Sequence, residues 1–172
     1  MLFRSTKITL VANNTVSIGT VGQIPSNVAI TGNTFTNSFV YTSAVTEPVA
    51  IHAGTAPAGE MNINLMANSV HYYTPSVTAV WTPNVRAGGT TPLNDIISTG
   101  QSISFSMIVN QGGTPYNNNS GNLRIDNTWY TAKWSLAQLP TSTASRVEVY
   151  SYTLIKTGSG TWVVLGSLSS LG

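Results

Sequence analysis

The sequence predicts an all-β protein: an antiparallel β-sandwich, jelly-roll-like, with one short helix near 91–99. Apolar residues recur at every second position in short runs, which is the period of a half-buried strand. Gly, Pro and Asn interrupt these runs at intervals suited to turns. Only one segment carries the start and stop signals of a helix. At 172 residues the chain is long enough for one full core, with room for a smaller appended piece.

The clearest strand is Ser102-Ile103-Ser104-Phe105-Ser106-Met107-Ile108-Val109, which puts Ile103, Phe105, Met107 and Val109 on a core face and serines on the other. A longer run from Arg146 to Lys156 has apolar groups on both sides and is expected as a central strand covered twice. Thr157-Gly158-Ser159-Gly160 then leads into Thr161-Trp162-Val163-Val164-Leu165-Gly166, the pattern of a β-hairpin. Further strand candidates are 8–11, 16–18, 28–30, 35–42, 63–66, 69–73, 77–81, 123–126 and 128–134.

The helix is expected in Thr90-Thr91-Pro92-Leu93-Asn94-Asp95-Ile96-Ile97-Ser98-Thr99-Gly100. A Thr cap precedes Pro at the first helical position, Asp95 lies near the positive end, and Gly100 follows the last turn. Leu93, Ile96 and Ile97 have the spacing to plug one open end of the sandwich. The Ala/Gly/Pro-rich stretch 47–59 reads as a linker or long loop, dividing an amino-terminal β-rich arm or small subdomain (1–55) from the sandwich (56–172). No long-period repeat stands out, and Asn117-Asn118-Asn119-Ser120-Gly121 reads as a loop tip.

Charge is the unusual part of the composition. Seven Lys/Arg and five Asp/Glu make a charged fraction of 7%, against about 25% in ordinary domains. A surface this neutral meets a neighbour without stripping water from ions, which favours assembly. It also starves enzymatic readings, since catalytic acids, bases and metal ligands come from the residue types that are scarce here. The chain is expected not to be an enzyme and to hold no cofactor or metal.

Individual motifs agree. There is no cysteine, hence no disulfide and no thiolate metal site. His52 and His71 lie in unlike contexts, without helical metal spacing. Asp95 and Asp126 lack a calcium-loop pattern, and helix capping accounts better for Asp95. Glu148 has Arg146 as its same-face neighbour, which reads as a surface ion pair rather than half of a glycosidase carboxylate pair.

The basic residues are scattered, so no stripe follows a nucleic-acid backbone. No run approaches the roughly 18 apolar residues of a membrane helix, and the apolar run after Arg4 and Lys7 is too short for a signal-peptide core. His71-Tyr72-Tyr73 places adjacent rings on opposite faces of a strand, and Trp129-Tyr130 does the same. Such rings fill a core, or stack outside on sugars or on another subunit. The candidate contact surface is therefore Arg4, Lys7, Tyr72, Tyr73, Arg86, Arg124, Trp129, Arg146 and Glu148.

The succession Leu93 to Phe105, then Val109-Asn110-Gln111-Gly112, then Lys133-Trp134, then Val147 to Thr157, resembles a module in virion structural proteins of tailed bacteriophages, especially cyanophages. The resemblance runs from near Met61 to the end of the chain. It implies residence on the outer surface of a phage particle. Within a particle, a small, nearly uncharged β protein without repeats or a coiled-coil stalk is expected as a capsid decoration or cement protein. Its partners would be further copies of itself, as trimers, and the major capsid protein. The alternative is a neck, tail or head-fibre component with an adhesive role toward host-surface glycan.

Overall fold

The computed structural model describes residues 47–135 and 138–172. The strand candidates at 8–11, 16–18, 28–30 and 35–42, the arm they were expected to build, and the candidates Arg4 and Lys7 lie outside the described residues.

Ten strands form two sheets. The larger carries β1 (Val49–His52), β3 (Val70–Ser76), β5 (Ser102–Asn110), β9 (Val147–Gly158), β10 (Thr161–Leu171) and β8 (Lys133–Trp134), in that spatial order. The smaller carries β2 (Gly59–Asn64), β4 (Trp81–Arg86), β6 (Asn122–Ile125) and β7 (Thr128–Thr131). The protein is all-β and two-layered, and its one α-helix is α1 (Leu93–Ile96) among the described residues.

The expectation of antiparallel, jelly-roll-like pairing fails for the first six strands. The chain crosses to the other sheet after each strand, so β1, β3 and β5 pair in parallel, as do β2, β4 and β6. Parallel neighbours need a crossover between them, and here each crossover is a strand of the opposite sheet. The result is a coil. Val49 lies opposite Val70, 21 residues on, and Gly59 opposite Trp81, 22 residues on. A structural repeat is thus present where the sequence shows none, because VAIH aligns with VHYY and GEMNIN with WTPNVR, sharing little beyond alternation. Strand β1 and the start of β2 also occupy the stretch read as a linker.

Antiparallel pairing begins where the chain turns back. Asp126 and Asn127, with φ of 50° and 69°, join β6 to β7 in a two-residue loop of the kind that needs both central residues left-handed. The β9–β10 hairpin turns at Ser159-Gly160 as expected. In β5, Phe105, Met107 and Val109 are buried and Ile103 half-buried, as the alternation requires. Strand β9 is central, between β5 and β10, yet only one of its faces is covered by the second sheet: Glu148, Tyr150, Tyr152, Leu154 and Lys156 are buried, and Val149, Ser151, Thr153 and Ile155 only half-buried. The reading of a strand covered twice is corrected accordingly.

Aromatic rings fill the centre. Trp81 meets Tyr150 edge-on at 4.9 Å between centroids, and Phe105 stacks on Tyr152 at 4.9 Å. Trp134, on the edge strand β8, reaches inward over Gly166, its partner on β10, and its Nε1 donates to the Gly121 carbonyl at 3.1 Å. Three of the four tryptophans are buried; Trp129 is 48% exposed.

The helix is shorter than expected and is capped differently. Its Leu93 and Asn94 amides donate to the two carboxylate oxygens of Asp126, at 2.7 and 2.9 Å, and Pro92 occupies the N-cap. Capping therefore falls to Asp126 rather than to a Thr, while Asp95 stands in the first turn. At the other end Lys156 Nζ donates to the carbonyls of Asn94 and Ile97. A four-residue helix has no stability of its own; an anion at its start and a cation at its end, both complementary to the helix dipole, hold it in place. Leu93 plugs the sandwich end and Ile97 packs against it, whereas Ile96 points to solvent.

The close approach of Trp134 to two glycines gives a direct check. A Cβ on Gly166 would lie 2.9 Å from the Trp134 ring, and one on Gly121 would lie 2.3 Å from its Nε1. Gly166→Ala is expected to cost about 1–3 kcal/mol by overpacking. Thermal melting followed by circular dichroism should show a drop of several degrees, and an unchanged midpoint would contradict this packing.

Candidate functional site

Strand alternation sends the apolar residues of the smaller sheet inward and its polar residues outward. Met61 and Ile63 of β2, Trp81 and Val85 of β4, and Leu123 and Ile125 of β6 enter the core. Glu60, Asn62 and Asn64, then Thr82, Asn84 and Arg86, then Arg124, then Trp129 face away from it, in register across four strands.

This outer face is cross-linked. Asn84, fully buried although it points outward, has its Nδ2 2.9 Å from Glu60 Oε1, 3.2 Å from Asn62 Oδ1 and 2.8 Å from Asn127 Oδ1. The Asn127 amide donates back to Asn84 Oδ1 at 3.1 Å, which ties the β6–β7 turn to β4. Arg86 donates to Asn127 Oδ1 at 2.5 Å. Arg124 forms an ion pair with Glu60, and its guanidinium lies 4.4 Å from the centroid of the Trp129 ring. The Arg86 side bounds a groove of about 400 Å³ lined by Glu60, Asn62, Ile63, Asn64, Arg86 and Gly89.

Three of the expected contact residues, Arg86, Arg124 and Trp129, therefore share one face. The others do not join them. Tyr72 and Tyr73 are on β3 of the larger sheet, on opposite faces as predicted; Tyr72 is half-buried on the outside, and Tyr73 is buried inside, where desolvation pushes its pKa up to about 12. Arg146 is exposed just before β9.

Glu148 forms no surface ion pair. It is fully buried, with Oε1 accepting from the Thr143 amide at 2.7 Å and Oε2 from Gln111 Nε2 at 2.9 Å and the Tyr150 hydroxyl at 3.2 Å. Position 148 faces the core side of β9, and Arg146 precedes the strand, so the two are not same-face neighbours within it. A buried carboxylate is tolerable when its lone pairs are all used, and here it binds two loops to the strand end. Burial raises the pKa of Tyr150 and carries that of Tyr152 well above the ordinary phenol value.

The histidines also differ from expectation. Parallel pairing of β1 with β3 brings His52 Nε2 within 3.2 Å of His71 Nδ1, while His71 Nε2 lies 3.1 Å from the Asn68 carbonyl. A carbonyl only accepts, so His71 carries its proton on Nε2 and accepts from His52 at Nδ1. His52 also stacks on Tyr73 at 4.2 Å. Desolvation lowers both pKa values, and the nearby His52 lowers that of His71 further. Among the described residues no group of three His, Asp or Glu converges as a metal site would require.

No family model, curated protein or solved structure matches the chain.

The sequence contained usable signals for two residues it did not single out. Asp126-Asn127 between two β runs is a left-handed two-residue turn signal, and Asn84 alternates with Val85 in β4. Glu148 and Lys156 share the buried parity of Tyr150, Tyr152 and Leu154, but the distant partners that make their burial tolerable, Gln111 for Glu148 and the carbonyls of α1 for Lys156, leave no local mark.

Two outcomes are expected. Glu148→Ala removes the acceptor of the Thr143 amide, while Gln111 keeps Tyr116 and Ser142 and the Tyr150 hydroxyl keeps Ser142; with one bond lost outright and two weakened, denaturant unfolding should show a loss of about 1–3 kcal/mol, and Glu148→Gln, which keeps an acceptor, a smaller one. For the histidine pair the folded pKa values lie below the ordinary 6.5, so the unfolded chain binds more protons below that pH. Stability from this pair is complete above about pH 6.5 and falls as pH drops toward the lowered folded values. Melting temperatures at pH 7.5 and 5.0 should differ more for the wild type than for His71→Phe.

Proposed function

We propose that this protein is a non-enzymatic structural component of a bacteriophage virion, a capsid decoration or cement protein on the outer surface of the head. In this reading it self-associates and docks on the major capsid protein, adding contacts across capsid subunit boundaries. Binding that favours the assembled lattice over its parts stabilises the lattice by linkage.

The observation that supports this reading is the outer face of the larger sheet. Across β1, β3, β5, β9 and β10 the outward positions are Val, Ile, Tyr, Ser, Thr and Leu, with Asn110 at the end of β5 and no charged side chain before Lys133 on the edge strand β8. One row in register runs Ile51, Tyr72, Ile108, Val149. Beside it, Ser106 pairs with Ser151 and Ser104 with Thr153 through their hydroxyls, at 3.2 and 3.0 Å. Ile51 is 66% exposed and Leu165 41%.

Five strands at about 4.8 Å spacing, averaging roughly nine residues each, give a face of about 600–700 Å² in plan, close to the ~800 Å² per partner of a standard interface. A neutral, half-apolar sheet face of that size suits a protein neighbour.

The phage assignment itself draws on the resemblance of the segments around 93–112, 133–134 and 147–157. Those segments build α1, β5, β8 and β9, so they speak for a shared scaffold, and the role is argued from the faces that the scaffold displays.

Ile51→Lys with Leu165→Lys is expected to leave the fold intact and reduce the mass measured by light scattering from an oligomer toward a monomer. Phage particles lacking the protein should lose infectivity on heating or chelation faster than complete ones. A monomeric wild type at tens of micromolar, together with equally resistant particles, would sink the proposal.

A further inference from the structure

We propose that the outer face of the smaller sheet is a binding site for an anionic glycan. This goes beyond the assembly reading and does not rest on it, since the two faces belong to different sheets.

Trp129 is the only tryptophan that is open to solvent among the four, at 48% exposed. It is not part of the core, and Arg124 stacked at 4.4 Å restrains it. A pyranose ring has an apolar C–H face that stacks on an indole and a rim of hydroxyls that need donors and acceptors together. Asn62 and Asn64 supply Nδ2 donors from the same exposed strand face, and their Oδ1 atoms, which already accept from Asn84 Nδ2 and the Met66 amide, keep one further lone pair each. From β2 to β7 there are three inter-strand gaps, so the face spans about 14 Å, enough for a short run of sugars reaching from the groove to the ring.

The sign of the ligand follows from Arg86. Arg124 is neutralised by Glu60, whereas Arg86 has no carboxylate partner among the described residues; its guanidinium holds only the Asn127 and Gly89 oxygens, at 2.5 and 3.5 Å. It lines the groove. An arginine held in place by neutral acceptors retains its full charge and a planar donor edge matched to a carboxylate or sulfate. A protein occupant fits less well, because interface centres are apolar and Trp129 is the one large apolar side chain outward on these strands. The charge complementarity and the sugar-sized spacing point to a polysaccharide carrying carboxylate or sulfate groups.

The test is a glycan array with carboxylated, sulfated and neutral members, followed by titration of the full chain with a hexamer of galacturonate and with neutral cellohexaose. Tryptophan fluorescence reports the site, since the other three indoles are buried. Binding to either anionic class, saturable quenching by the acidic hexamer, and at least tenfold weaker binding of cellohexaose are expected. Trp129→Ala should abolish the quenching and Arg86→Gln should weaken binding about tenfold or more. Asn62→Asp, which keeps an oxygen to accept from Asn84 Nδ2, should weaken it similarly by repulsion. No binding to any anionic member, equal binding of neutral glycans, or anionic binding that survives Trp129→Ala and Asn62→Asp would overturn the proposal.

Discussion

The architecture depends on the inward face of one strand. Strand β9 presents Glu148, Tyr150, Tyr152, Leu154 and Lys156 to the second sheet in unbroken alternation. The middle three pack the aromatic core, and Glu148 and Lys156 stand at its ends, one beneath each set of closing loops. Glu148 gathers the loops before β6 and before β9 through Gln111 and Thr143; Lys156 gathers the carbonyls of α1. Burying either charge without these partners would cost several kcal/mol. The loops are therefore committed to one arrangement by the cost of any other.

Scarcity of charge takes on a different meaning in this light. Ten of the twelve charged residues fall in the described part, and seven of them are engaged within the fold: Glu148 and Lys156 at the strand ends, Asp126 on the helix, Glu60 with Arg124, Arg86 on Asn127, and Glu47 on the Ser69 hydroxyl. What little charge exists mainly organises the protein itself, and the large sheet face is left neutral. The two faces of the sandwich consequently differ in kind. One is broad, hydroxyl-rich and uncharged, and the other is narrow, amide-rich and polarised, with a single exposed indole.

Periodicity made the layered β architecture legible, along with β5, the β9–β10 hairpin and the single helical segment, because each depends on neighbours in sequence. Strand direction was not legible. Alternation of Val49, Ile51 or Met61, Ile63 is the same whether the neighbouring strand runs with or against it, and the decision lies in short connections that send the chain to the opposite sheet. Of the candidate surface, Arg86, Arg124 and Trp129 converge because they share outward parity on adjacent strands. Glu148 failed as a surface residue because parity places it with Tyr150 and Tyr152, a fact present in the sequence but outweighed there by its nearby Arg146. The His52–His71 contact depends on parallel register and had no local signature.

The coiled first half bears on how such a chain can change over evolutionary time. The first turn, 21 residues from Val49 to Val70 and 22 from Gly59 to Trp81, adds one strand to each layer, while the next, 36 residues from Val70 to Ser106 and 40 from Asn84 to Arg124, also carries α1 and the longer loops. Duplication or loss of a whole turn keeps every inward side chain inward, whereas a single-residue insertion within a strand inverts all that follow in it. Descendants of a common ancestor would then differ in length by whole turns, growing from the β1/β2 end while the aromatic end stays constant.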